Sequence, residues 1–110
     1  MKVRLITEKT IYRYAANNPQ CRIQLEEWLA TLKKADWKYP VDILQQFSSA
    51  DLLGNGSDRV IFNIAGNRFR MICAYRFGKT LVELYVCWIG THTQYTRFCQ
   101  EGRQYTISNF

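Results

Sequence analysis

Arg68, Arg70 and Arg76 interrupt a run of apolar and aromatic residues, and the chain's one histidine, His92, closes a second such run. On an extended chain, side chains two apart share a face. Arg68, Arg70, Ile72, Ala74 and Arg76 therefore point one way, and Phe69, Met71, Cys73, Tyr75 and Phe77 the other. The second set suits a core layer. The first places cations among small residues, with Arg59 and Asn63 adjacent on a neighbouring strand. A guanidinium can hold a phosphate with two donors, so this face suits a polyanion, but alternation by itself points first to a plain solvated sheet face. His92 has the chemistry of a general acid or base near neutral pH, or of an ordinary surface or capping histidine. Tyr95, three residues on, shares its face if the segment is helical. There the phenol would orient the imidazole, stack on a base or simply pack.

The overall charge agrees with a polyanionic partner. The chain has 110 residues, 15 of them Lys or Arg against 9 Asp or Glu, a net charge of +6, and 9 of the 15 basic residues are arginine. Arginine with 15% aromatic content fits phosphate and base contacts better than solubility alone. Other candidates carry less. Glu26 and Glu27 point to different helix faces, and Ser48-Ser49 has no histidine near it in sequence. Gly54-Asn55-Gly56 lacks the lysine and following helix of a phosphate-binding loop. The 4 cysteines, Cys21, Cys73, Cys87 and Cys99, form no Cys-x-x-Cys pair, and one histidine does not complete a zinc site. No apolar run approaches the roughly 20 residues of a membrane span, and the first ten residues lack a secretory h-region. The expectation is a cytoplasmic protein with reduced cysteines.

The length predicts one domain over residues 1–110. Its first half has helical period. Residues 2–6 read as a short strand, with Thr7 as N-cap and Glu8 in the first helical turn. Ile11, Tyr14 and Ala15 then share a face, and Asn17-Asn18-Pro19 breaks the helix. Across residues 20–35, Cys21, Leu25, Trp28, Leu29 and Leu32 form an apolar stripe, giving an αα-hairpin. Pro40 opens a short third helix through Phe47, and residues 54–58 are a loop. The second half has strand period. Residues 59–64, 68–77 and 80–89 are predicted as three strands joined by tight turns at residues 65–67 and 78–79, an antiparallel meander. Thr91 caps a final helical turn carrying Gln94, Tyr95 and Phe98, and residues 102–110 show no strong pattern. The layout is α+β: an N-terminal helical hairpin packed on the meander, with a short C-terminal helix.

Residues 59–72, RVIFNIAGNRFRMI, resemble the "vFNi-x-GN-x-(Y/F)R(L/M)" hairpin of HigB-type toxins, and residues 88–95, WIGTHTQY, resemble that family's "GTH-x-(E/Q)Y" end. These toxins belong to the RelE-like superfamily of type II toxin–antitoxin systems. The resemblance implies a RelE-like fold and a ribosome-dependent endoribonuclease that cleaves mRNA to inhibit translation and uses no metal or other cofactor. It also implies neutralisation by a HigA-like helix-turn-helix antitoxin, with operator DNA reached only through the toxin–antitoxin complex. The motif positions fall on Asn63, Asn67, Arg70, His92 and Tyr95. Metal-independent cleavage uses the 2′-hydroxyl as nucleophile on the adjacent phosphate. Arg70 would stabilise the phosphorane with Arg68 and Arg76 assisting, His92 would transfer a proton, and Tyr95 would stack on or orient a splayed nucleotide. Arg59, Asn63, Asn67, Arg76 and Lys79 would contact RNA, with Asn67 also a candidate for turn geometry. Related sequences often read Glu-Tyr-Asp after the histidine, where this chain has Gln94-Tyr95-Thr96, so an acidic partner must come from elsewhere or be missing. The alternative is a non-catalytic RNA- or protein-binding module on the same scaffold.

Overall fold

The computed structural model describes residues 1–109, and Phe110, the last position of the patternless tail, lies outside them. Strand β1 (Lys2–Leu5) leads into helix α1 (Glu8–Asn17), and a 3-10 turn (Pro19–Cys21) leads into α2 (Arg22–Leu32). After α3 (Val41–Gln46) come β2 (Asp51–Leu53), β3 (Arg59–Ile64), β4 (Phe69–Phe77) and β5 (Leu81–Thr91). Helix α4 (His92–Gln100) and a 3-10 turn (Arg103–Tyr105) follow. The class is α+β, with strand order β1-β5-β4-β3-β2.

The expected meander is present as antiparallel β3, β4 and β5, but it is the centre of a larger mixed sheet. β1 joins β5 in parallel, with the helical half of the chain between them, and β2 pairs antiparallel with β3. β2 has only three residues, too few for alternation to register in sequence. Thr7 does not cap α1 with its side chain. Parallel pairing brings it alongside β5, where its Oγ1 accepts a 2.7 Å hydrogen bond from the Val86 N–H. The break at Asn18-Pro19 is real: the Asn18 Nδ2 donates to the Tyr14 carbonyl, and Pro19 opens the 3-10 turn.

The helices and the inner sheet face enclose the main core. Leu25, Trp28, Leu29 and Leu32 of α2 pack over Val60, Phe62, Met71 and Leu84, each large side chain contributing about 1.5–3 kcal/mol of transfer free energy. Trp28 and Phe47 both meet Phe62 edge-on, at 5.1 and 4.9 Å between centroids. Such pairs add about 0.5–1.5 kcal/mol each beyond area.

The outer sheet face is not left to solvent. Ile61, Ile72, Cys87, Trp88 and Ile107 form a second buried cluster, against which Tyr95 and Phe98 of α4 pack. A bulge in β5 makes this possible. Ile72 pairs with Trp88 and Cys73 with Val86, leaving Cys87 as the extra residue. Val82, Leu84 and Val86 face the main core before the bulge, and Ile89 faces it afterwards. One inserted residue reverses the phase, so Trp88 and Gly90 turn to the outer face beneath α4.

Candidate functional site

The reversed phase places Gly90 opposite Arg70, which is in turn opposite Asn63 on β3. Asn63, Arg70 and Gly90 thus form one cross-strand row on the outer face. The Arg70 Nη1 donates to the Asn63 Oδ1. The Asn63 Nδ2 donates to the Ser49 carbonyl at 3.0 Å, so the asparagine is held from both sides and holds the guanidinium. Both residues are half-buried, which limits the conformations left to Arg70 and pre-organises it.

Gly90 is required by space. A Cβ there would overlap the Trp88 ring and the Gln94 Oε1. Beyond it, Thr91 and Gln94 form a reciprocal capping box. The Thr91 Oγ1 accepts from the Gln94 N–H at 3.2 Å, and the Gln94 Oε1 accepts from the Thr91 N–H at 2.9 Å. Position 94 is therefore the third residue of a helix start, where glutamine serves as glutamate would. Thr96 donates from its hydroxyl to the His92 carbonyl. The His92 N–H donates to the Arg68 carbonyl at 3.0 Å, extending the β4–β5 ladder one step. His92 and Arg68 are thus adjacent and exposed at the end of the sheet, one step from Arg70.

Tyr95 packs on the outer-face cluster beside this row, its ring 6.3 Å from that of Trp88. Burial is the main reason its phenol is held well above the usual tyrosine range. The Cys99 side chain one turn on and the Asp51 charge push the same way, and the Arg70 charge opposes them. Tyr95 is therefore a neutral phenol.

The structure brings Asn63, Arg68, Arg70, His92 and Tyr95 together at one end of the outer face and separates the rest. Arg76 sits six residues along β4, about 20 Å for an extended strand, where it is exposed and lies 4.0 Å from Glu83. Lys79 lies beyond it in the β4–β5 turn. The expected run of three arginines on one face is interrupted, because α4 and the tail cover Ile72 and Ala74 between them. Arg59 is committed elsewhere: its Nη1 donates to the Gln104 and Ile107 carbonyls at 3.2 and 2.6 Å. It anchors the tail that the sequence left without pattern. Asn67 is exposed in the β3–β4 turn, but the left-handed residues there are Ala65 and Gly66, so the turn does not need Asn67 for its geometry.

Sequence reasoning missed that Gln94 fixes the helix start beside His92. The capping box was legible in Thr91-x-x-Gln94. Cys21, Cys73 and Cys87 are buried free thiols, and burial raises the pKa of each. Among the described residues no helix is long and apolar enough to cross a membrane.

Residues 21–98 match the model of a family described as HigB_toxin, RelE-like toxic component of a toxin-antitoxin system. No curated protein matches the chain.

Proposed function

The chain belongs to the HigB toxin family, the RelE-like toxic components of toxin–antitoxin systems, and from that premise we propose that it is a metal-independent endoribonuclease that cleaves mRNA on the ribosome. Residues 1–110 form a single toxin domain in this reading, acting in the cytoplasm and neutralised by a HigA-like helix-turn-helix antitoxin. The observation that carries it is Arg70, held by Asn63 one step along the sheet from His92, with Tyr95 packed on the same outer face. A fixed guanidinium suits the extra negative charge that develops as a 2′-oxygen attacks phosphorus. His92 moves a proton, Tyr95 supplies an aromatic face for an unpaired base, and Arg68 and Asn67 at the exposed turn contact the backbone. Arg76 and Lys79 supply salt-sensitive attraction from a distance.

The test is purified protein with ribosomes and mRNA. Cleavage leaving a 2′,3′-cyclic phosphate or 3′-phosphate and a 5′-hydroxyl is expected. Arg70→Ala and His92→Ala should each lower the rate by about 10²-fold or more at unchanged thermal midpoint. Wild-type rates in both would overturn the assignment. One observation favours a second reading, a binding module without catalysis: the His92 imidazole makes no hydrogen bond among the described residues. That reading expects salt-dependent RNA binding with the RNA left intact.

A further inference from the structure

Strand β2 pairs with β3 only from Arg59 to Ile61, so the last residues of β3, Phe62 to Ile64, have no strand beside them on that edge. A cleft of about 380 Å³ opens there, between α2, the chain that follows α3 and the β3–β4 turn. Its size falls within the roughly 300–1,000 Å³ of small-ligand sites. Asn63 lines the cleft, and the same carboxamide holds the Arg70 guanidinium. One side chain therefore separates the cleft from the cation. A nucleoside attached to a phosphate on Arg70 has the reach to cross it.

The lining has the chemistry of a base pocket. Trp28 and Phe47 both line it, their ring centroids 6.0 Å apart. Phe47 is only half-buried, which leaves aromatic surface on which an unpaired base can stack. The Trp28 indole N–H is buried with no acceptor among the described residues, a state in which few buried donors are left. Gln24, Glu27 and Thr31 line the cleft from the same face of α2 as Trp28, by their three- and four-residue spacing. The Thr31 hydroxyl is spent on the Glu27 carbonyl, and Gln46 is spent on Trp37 and the Thr31 carbonyl. The Glu27 carboxylate is exposed and makes no ion pair or hydrogen bond among the described residues. Glu26, its neighbour in sequence, does not line the cleft and pairs with Arg22. An ionised carboxylate only accepts hydrogen bonds. It therefore favours bases that carry an exocyclic amino group, which adenine, cytosine and guanine have and uracil lacks.

We propose that this cleft receives one of the two nucleobases flanking the scissile phosphate, with Glu27 accepting from its amino group and Phe47 supporting its face. This rests on the nuclease reading above. Asn63 then serves both events, fixing Arg70 on one side and walling the base on the other. The choice of base and the placement of the phosphate are thereby tied through one side chain. Glu27 determines specificity and takes no part in proton transfer or in the bonds made and broken at phosphorus.

The experiment measures single-turnover cleavage of ribosome-bound mRNAs that differ only in the two bases flanking the cut. Wild type is expected to favour an amino-bearing base over uracil at one of the two positions by about tenfold, the discrimination of one good base contact. Glu27→Gln should abolish that preference while leaving the rate at uracil-flanked sites unchanged. Glu26→Gln, which removes the same charge outside the cleft, should keep it. An unchanged preference in Glu27→Gln, an equal loss in Glu26→Gln, or no discrimination by wild type overturns the inference while leaving the nuclease reading intact. No cleavage by the wild-type protein overturns both. Both substitutions fall at exposed helix positions, and an unchanged thermal midpoint separates altered choice of base from loss of fold.

Discussion

The Arg70 guanidinium and the Asn63 carboxamide face each other across β3 and β4, and the asparagine's Oδ1 accepts from the Arg70 Nη1. The same asparagine donates to the Ser49 carbonyl, so the cation's orientation depends on a loop that precedes β2. Asn63→Ala is expected to leave Arg70 charged but unheld. Cleavage of ribosome-bound mRNA should fall about tenfold, well short of the loss in Arg70→Ala. Arg70→Lys should not recover activity, because an ammonium lacks the planar fork that meets both the asparagine and a phosphate. Equal rates for Arg70→Lys and wild type would show that charge alone suffices.

Helix α4 has no fully buried residue and is held by its start and by the satellite cluster beneath it. Thr91→Ala removes half of the capping box at a cost of about 1 kcal/mol. In a chain of this size that corresponds to a drop in Tm of roughly 4–8 °C. Gly90→Ala should cost about 1–3 kcal/mol, since its Cβ meets both Trp88 and Gln94. Differential scanning calorimetry checks both, and an unchanged midpoint for Gly90→Ala would refute the close packing described.

Arg59 holds the tail through two carbonyls. Arg59→Ala should speed amide hydrogen exchange at residues 104–109, including the Asn109 N–H that donates to the Cys87 carbonyl. It should leave the salt dependence of RNA binding as it was. A salt slope reduced by about one unit would instead identify Arg59 as a phosphate contact.

Tyr95 is an acid whose folded pKa lies above its unfolded value, mainly through burial. The neutral phenol is the form the fold favours. Its contribution is therefore fully present below about pH 10, the unfolded value, and is lost as pH rises through the folded one. Tyr95→Phe should show a smaller alkaline loss of stability in urea titrations than wild type. If the ring acts by stacking, Tyr95→Phe retains cleavage within a few-fold, and Tyr95→Ala loses about 1–3 kcal/mol of RNA binding.

Local chemistry was legible where it repeats or punctuates. The stripe of Leu25, Trp28, Leu29 and Leu32, the turns at residues 65–67 and 78–79, and the three long strands are all stated by period and by turn residues. Motif spacing likewise tied Asn63, Arg70, His92 and Tyr95 to one family before any geometry was known. Residues 54–58 and the short Asp51–Leu53 strand carry no period, so β2 did not stand out.

Which side chains meet was decided by the tertiary structure alone. Strand alternation assigns Arg70 and Arg76 to the same face, but it does not say that a helix and a tail cover the residues between them. The bulge at Cys87 reverses the phase of β5 and so turns Trp88 and Gly90 outward. Nothing in an alternating apolar sequence marks where one extra residue is accommodated. Arg59 counts toward a charge of +6 in the sequence and is spent on two tail carbonyls in the fold. Sequence determines charge, period and local turn chemistry because these act between near neighbours. The cation that remains for a phosphate is set by long-range pairing, because only that decides which charges find an internal partner.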